Sequence, residues 1–182
     1  VLIVDDDEET ADLYADFLDG YAVSTAYSGT EALDLLDDTI DVVLLDRRMS
    51  TVTGDDVLNS IRGRELNCRV VMVTAVDPDL DILELPFDDY LLKPVSPDQL
   101  RDAVSQMHAR NGCDDMLREM FAIASKMATI ESKMSLAELE TSPAYTALGV
   151  EFDRLRTDVK TRGVNEDMYV EFADEKLRTL LD

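Results

Sequence analysis

Residues 42–50 read VVLLDRRMS, four apolar residues in unbroken succession closed by a carboxylate, Asp46. A strand with one wet face alternates apolar and polar residues, whereas a run that is apolar throughout belongs to a parallel sheet buried on both faces. Similar runs stand at Val1–Val4, Tyr21–Thr25, Val70–Val73 and Tyr90–Leu92. They recur with a period of about 20–25 residues, which is the spacing of βα units. Between them, Glu8–Asp19 places Ala11, Tyr14, Phe17 and Leu18 on one helical face. Ser28–Asp37 repeats the pattern with Ala32, Leu35 and Leu36, and Ser28 with Glu31 predicts a capping box at its start. Pro78 and Pro97 each stand where a helix can open, and the last helix of the series is expected from Pro97 to about Ala109. The reading is an α/β domain over residues 1–111: five parallel strands, with right-handed crossovers laying helices on both faces.

Near Asn111 and Gly112 the alternation stops, and residues 112–182 carry helical patterns without a convincing strand. Leu117, Met120, Phe121, Ala124, Met127 and Met134 recur at three- and four-residue intervals, as core or as a dimer seam. Ser142 and Pro143 open a second stripe through Leu148, Phe152, Leu155 and Val159. Gly163 ends it, and Asn165 can cap a third, with Tyr169, Phe172, Leu177 and Leu180. Three helices or a kinked hairpin are expected here, with the preceding helix running nearly straight into the first of them.

The 182 residues carry 40 acidic and 17 basic side chains, a formal charge of −23. With 46% hydrophobic residues the chain can build a core, so acidic disorder is a poor description. A field this negative repels phosphate backbones and anionic headgroups unless a local basic patch overcomes it, so nucleic-acid binding is not expected. The strongest basic segment, Arg154, Arg156, Lys160 and Arg162, is interrupted by Asp153 and Asp158. The excess of Asp over Glu and of Arg over Lys fits the solvation strategy of salt-loving organisms. Cys68 and Cys113 are too few and too far apart for a disulfide framework or a paired-cysteine metal site. No apolar run approaches the roughly 20 residues of a membrane span, so a cytoplasmic protein is expected. The strand-like opening without an initiator Met suggests that the natural chain begins slightly earlier.

In an open α/β sheet, ligands bind at the carboxyl ends of the strands. The residues found there are Asp5 and Asp6 after the first run, Asp46 after the third, Thr74 after the fourth and Lys93 after the fifth. Carboxylates brought together repel one another unless a cation lies among them. All-oxygen ligands suit Mg²⁺, which takes one or two protein carboxylates and leaves room for a phosphoryl group. With Lys93 and Thr74 beside it, Asp46 is placed to act as a nucleophile toward phosphorus. The doublets Asp55–Asp56, Asp88–Asp89 and Asp114–Asp115 read instead as solvated surface, and His108 as a surface residue of the last βα helix.

These residues carry a resemblance. Residues 1 to about 110 resemble a response-regulator receiver domain of two-component signalling, through Asp5–Asp6, Asp46 in LLDRRM, Thr74 in VMVTA and Lys93 in YLLKP. The resemblance implies a flavodoxin-like, doubly wound sheet of order 2-1-3-4-5. It implies phosphorylation of Asp46 by a sensor histidine kinase and a Mg²⁺ ion held by Asp6, Asp46, the carbonyl of Arg48 and, through water, Asp5. It also implies a cis peptide before Pro94 and a switch in which Thr74 moves inward and Tyr90 follows, altering the surface from roughly Asp77 to Ala109. The helical tail, including FAIASKMATIESKMSLAELETSPAY, resembles the HalX domain found behind receivers in halophiles. Homodimerisation would use the receiver face or the tail.

Ser50 stands where the family usually has proline, while Gly54 keeps its turn glycine. Arg48 and Val76 occupy positions that, in the family, control access of hydrolytic water, and their bulk and apolarity imply slow self-dephosphorylation. Two other readings compete with the phosphoacceptor, which is not itself an enzyme. An aspartate-nucleophile Mg²⁺-dependent phosphatase needs a second acid two residues after Asp46, where Arg48 stands. A pseudo-receiver that binds partners without phosphorylation would have lost the acid pocket or the lysine, and both are present.

Overall fold

The computed structural model describes residues 1–110 and 115–161. Five strands, β1 (Leu2–Val4), β2 (Ser24–Ala26), β3 (Val42–Leu45), β4 (Arg69–Thr74) and β5 (Asp89–Leu92), form one parallel sheet of order β2-β1-β3-β4-β5. This is the expected doubly wound order. Helices α1 (Glu8–Phe17), α2 (Gly29–Leu35), α3 (Gly54–Gly63) and α4 (Pro97–Arg110) supply the crossovers. The unbroken apolar runs are explained by their surroundings, since every residue of β1, β3 and β4 is buried. On one face Ile3, Val42, Leu44, Val71 and Val73 pack with Ala11, Tyr14 and Leu18 of the α1 region and Leu100, Val104 and Met107 of α4. Alternation along the strands turns the intervening residues to the opposite face. There α2 and α3 pack together and bury Ala32, Val57, Leu58 and Ile61.

Several expectations are corrected. The second run was expected at Tyr21–Thr25, but the strand is Ser24–Ala26, because β2 pairs with β1 alone and therefore exists only opposite Leu2–Val4. Tyr21 and Val23 still pack on the core from outside the strand. The α2 box is half formed: Ser28 Oγ accepts from Glu31 N–H, but the Glu31 carboxylate accepts from Tyr27 N–H instead of reaching back to Ser28. The reciprocal box occurs at α3, between Thr53 and Asp56. Pro78 opens no α-helix. Leu80–Glu84 forms a single 3₁₀ turn, stopped because Pro86 forces Leu85 into extended backbone. Asp88 and Asp89 are not solvated surface. Asp88 is buried and accepts from Arg62 at 2.7 Å, Arg69 at 3.2 Å and Val70 N–H at 2.8 Å, tying α3 to the start of β5. His108 is half-buried, stacked on Tyr21 with ring centroids 5.6 Å apart.

The chain divides into two compact units. One holds the sheet and its four helices. The other is helical: α5 (Asp115–Glu131), α6 (Leu136–Glu140), α7 (Pro143–Thr161) and the segment Pro78–Leu85. Its core gathers Leu117, Met120, Phe121, Ile123, Leu155 and Val159, with Met116, Met127, Leu148 and Phe152 against it. The methionine stripe is therefore core, and Pro143 opens α7 as read. The short α6, whose Glu138 carboxylate accepts from Ser135 N–H at 3.0 Å, was not foreseen. Within this unit Ile82 and Leu83 are buried, the 3₁₀ turn packs against α5 and α7, and Lys126 Nζ donates to Leu83 O at 3.4 Å. The expected break at Gly163, the cap at Asn165 and the third stripe lie outside the described residues, as does the junction before α5. Among the described residues no helix is long and apolar enough to cross a membrane.

Candidate functional site

The strand ladders run one residue beyond the strands themselves, and this extension assembles the site. Asp5 N–H donates to Ala26 O and Asp46 N–H to Val4 O, at 3.1 and 2.8 Å, which sets the two carboxylates side by side at the sheet's upper edge. Lys93 N–H donates to Thr74 O at 2.9 Å and so brings the lysine beside the hydroxyl. The Lys93–Pro94 peptide is cis. From there Lys93 Nζ reaches Asp5 Oδ2 at 2.6 Å and Asp46 Oδ1 at 3.2 Å. The other Asp46 oxygen accepts from Arg48 N–H at 2.8 Å, and Asp6 Oδ2 accepts from Ser50 N–H at 3.2 Å.

An open cleft of about 480 Å³ is lined by Asp5, Asp6, Asp46, Arg48, Thr74 and Lys93, so six of the seven expected site residues meet there. The seventh, Tyr90, lies outside the lining. Its buried hydroxyl donates to Val76 O at 2.7 Å, while Val76 N–H donates to Thr74 Oγ1 at 3.3 Å. The backbone of one residue, Val76, thus joins the hydroxyl of the cleft to Tyr90. Asp7, Ala75, Val76 and Asp77 complete the lining. Asp7 was missed, although an Asp directly before a helical pattern with Thr three residues on is a cap signal. It caps α1, accepting from Glu9 N–H and Thr10 Oγ1.

Gly54 is not a turn glycine. It is the first residue of α3, where its N–H donates to Arg47 O, and a Cβ there would lie 2.2 Å from Asp46 O. The helix start and the Asp46 backbone touch because that position has no side chain. Arg47 points elsewhere and pairs with Asp55 at 3.1 Å.

One oxygen from each of Asp5, Asp6 and Asp46 lies within 4.8 Å of the others. Burial pushes the Asp5 carboxyl above its ordinary range, more than the Lys93 hydrogen bond pulls it back, and the Asp46 charge adds to the rise. Burial alone would lower Lys93, but its bond to Asp5 and the charges of Asp46 and Asp5 carry it above the ordinary lysine value. Asp5 and Asp46 share the Lys93 ammonium, while Asp6 accepts from Ser50 N–H. The donors are all oxygen, so they fit a hard divalent cation such as Mg²⁺.

A flavodoxin-like sheet with an acid pocket, a hydroxyl and a lysine at its carboxyl edge defines the receiver class of two-component proteins. The chain belongs to the response regulator receiver domain family, matched over residues 1–105, and continues into a HalX domain matched over 109–179. It is 51% identical over 160 residues to a Haloferax volcanii protein described as a "Putative transcriptional regulator", covering 87% of this chain and 27% of that one. It is 43% identical over 105 residues to the transcriptional regulatory protein CpxR of Escherichia coli K12, covering 55% of this chain and 45% of CpxR. The chain thus spans about a quarter of the first relative and under half of the second. Among solved structures, a CheY-like receiver domain protein from Methanospirillum hungatei superposes with TM-score 0.55 at 30% identity, over 60% of this chain and 94% of that one. The response regulator TrrA of Thermotoga maritima, in complex with Mg²⁺-BeF, superposes with TM-score 0.52 at 29% identity, over 58% and 96%.

Proposed function

We propose that this response regulator accepts a phosphoryl group on Asp46 from a phosphohistidine of a sensor histidine kinase, in the cytoplasm, and passes the event to its helical unit. The observation that carries the reading is Lys93 Nζ bridging Asp5 and Asp46, at 2.6 and 3.2 Å, in a cleft that also holds Asp6 and Thr74. Asp6, Asp46 and the carbonyl of Arg48 would hold Mg²⁺, with Asp5 completing the acidic set. The TrrA complex supports that choice of ion. When bound, Mg²⁺ supplies charge that polarises the phosphoryl oxygens.

The chain's own groups do the rest. Arg48 N–H holds one Asp46 oxygen and so fixes the rotamer of the nucleophile. A carboxylate oxygen of Asp46 attacks phosphorus, the P–N bond of the donor breaks, and the imidazole leaves with the electron pair. The Lys93 ammonium offsets the negative charge of the transferred group. The Thr74 hydroxyl, turned toward the new phosphoryl oxygens, releases Val76 N–H, and the freed Val76 backbone carries that change through its carbonyl to Tyr90.

The chain is an acceptor and not an enzyme acting on a second substrate. A phosphatase of the aspartate-nucleophile kind needs an acid where Arg48 lines the cleft. DNA contact by the helical unit is not part of the reading, because its strongest basic segment, Arg154, Arg156, Lys160 and Arg162, is interrupted by Asp153 and Asp158. Incubation with a small phosphodonor and Mg²⁺, followed by intact mass measurement, tests the proposal. One added phosphoryl group is expected, absent from Asp46→Asn. An equal addition to the variant, or none to the native chain, would refute it.

A further inference from the structure

Gly29 is the first residue of α2, directly after the Ser28 cap, yet its φ is not in the left-handed region that would call for glycine. Glycine is among the poorest helix formers, so the position gives up helical stability for another reason. That reason is space. A Cβ there would lie 2.4 Å from Val52 O, 2.7 Å from Val52 Cβ and 2.8 Å from Val52 Cγ1. Carbon atoms in contact ordinarily stand roughly 3.5–4.0 Å apart. Val52 belongs to the loop between Asp46 and α3, so the first turn of α2 is the seat on which that loop rests.

The loop has little slack to absorb a displacement. Val52 N–H donates to Ser50 O at 2.9 Å across Thr51, whose φ of 70° closes a tight γ-turn, and Gly54 N–H donates to Arg47 O at 3.0 Å. Arg48 N–H in turn donates to Asp46 Oδ2 at 2.8 Å. A push on Val52 is therefore passed along the loop to Arg48 and Asp46. The helix side is the firmer of the two. Ser28 O accepts from Ala32 N–H at 3.0 Å, Ser28 Oγ from Glu31 N–H at 3.1 Å and the Glu31 carboxylate from Tyr27 N–H at 2.8 Å, and Ala32 is fully buried. Arg48, Ser50, Thr51 and Thr53 of the loop are exposed, so the loop is the part that yields.

We propose that Gly29 is a positioning residue for the phosphoacceptor: its missing side chain lets Val52 seat on α2 and so sets how the Arg48 backbone meets the Asp46 carboxylate. The inference rests on the reading of Asp46 as the acceptor, and Gly29 touches none of the reacting groups.

Phosphorylation rates of Gly29→Ala and Thr30→Ala, measured in the full chain at saturating Mg²⁺ and small phosphodonor, test it. Thr30 is the exposed neighbour in the same helical turn, and its variant is expected to react at the native rate. Gly29→Ala is expected to react about tenfold more slowly, since misplacing a reacting group by about 1 Å costs up to about a hundredfold. A native rate in Gly29→Ala would overturn the proposal, and so would equal slowing by Thr30→Ala, which would point to the helix start as a whole. The cation-free folded proteins give a second readout that a merely structural role would not move: the Arg48 amide resonance is expected to shift in Gly29→Ala and to stay in place in Thr30→Ala. An unmoved Arg48 amide in Gly29→Ala would overturn the proposal. If the native chain takes up no phosphoryl group, the reading of Asp46 falls and the proposal with it, a result that appears before any substitution is made. Should Gly29→Ala fail to fold, Val52→Ala decides, because it takes away the Cγ1 that rests on Gly29 from a residue that is only half-buried. A moved Arg48 amide and phosphorylation slowed about threefold, a fraction of the loss above, are expected of it. Native behaviour in both would overturn the proposal.

Discussion

Asp5 is buried to 3% exposure and shares its one cationic partner, Lys93, with Asp46. Folding raises its pKa, chiefly through burial, so the native state holds the Asp5 proton more tightly than the unfolded chain does. Ionising Asp5 therefore subtracts from native stability as pH rises past the unfolded value near 3.8. Below that value the carboxyl is protonated in both states and the penalty disappears. Asp5→Asn removes the buried charge while keeping an oxygen for Lys93. It is expected to raise the melting temperature of the Mg²⁺-free protein by a few degrees at pH 7, with the gain shrinking toward pH 4. Added Mg²⁺ should stabilise the native protein and do much less for the variant, since the charge that draws the ion is gone. Calorimetric scans across pH check this, and a gain that grows in acid would show that the sign is wrong. The converging carboxylates thus cost stability that the fold could otherwise keep, which is common where function demands converging charge.

Two glycines of α3 separate what a helix needs from what the site needs. At Gly54 a Cβ would lie 2.2 Å from Asp46 O and 2.8 Å from the Cα of Arg47, both backbone atoms that cannot rotate aside. Gly54→Ala should cost about 1–3 kcal/mol and slow phosphorylation of Asp46 by shifting its loop. At Gly63, the exposed last residue of the same helix, a Cβ meets no atom within 4 Å. Gly63→Ala should stabilise by about 0.5–1 kcal/mol and leave phosphorylation unchanged. Denaturant melts and phosphorylation rates for the pair provide the check, and equal effects at both positions would contradict the argument. The contrast also shows what was legible in the sequence. Strands β1, β3 and β4 announced themselves because burial on both faces forces unbroken apolar runs, and the site residues followed as the first polar groups after them. The role of Gly54 is not legible in the sequence, because a close backbone approach leaves no mark there different from that of a turn. The burial of Asp88 is hidden in the sequence because the guanidinium groups that balance it, Arg62 and Arg69, come from 26 and 19 residues away.

Pro78 was read as the opening of a helix that would complete the sheet domain, and the structure gives that stretch to the helical unit. Proline at a first-turn position is a local signal, while the fate of LDILELP is tertiary: Ile82 and Leu83 are buried in packing with α5 and α7, which lie far along the chain. The consequence for the whole molecule is one of connectivity. Thr74 ends β4, three residues follow, and the next residue, Pro78, already belongs to the helical unit. Within that short link the backbone of Val76 is bonded on both sides of its Cα, by the N–H to Thr74 and by the carbonyl to Tyr90. A phosphoryl group that recruits the Thr74 hydroxyl loosens one end of the tether and leaves the other. Hydrogen exchange on the full chain, with Mg²⁺ and phosphodonor, should then change in residues 76–85 and in the α5 and α7 segments packed on them, with no such change in Asp46→Asn. Tyr90→Phe lacks the hydroxyl that holds Val76 O. It is expected to take up phosphate at Asp46 as the native chain does, while its exchange response in residues 78–85 is at least halved. Identical exchange in that segment with and without phosphate would mean that the helical unit is not driven through this link, whatever happens at Asp46.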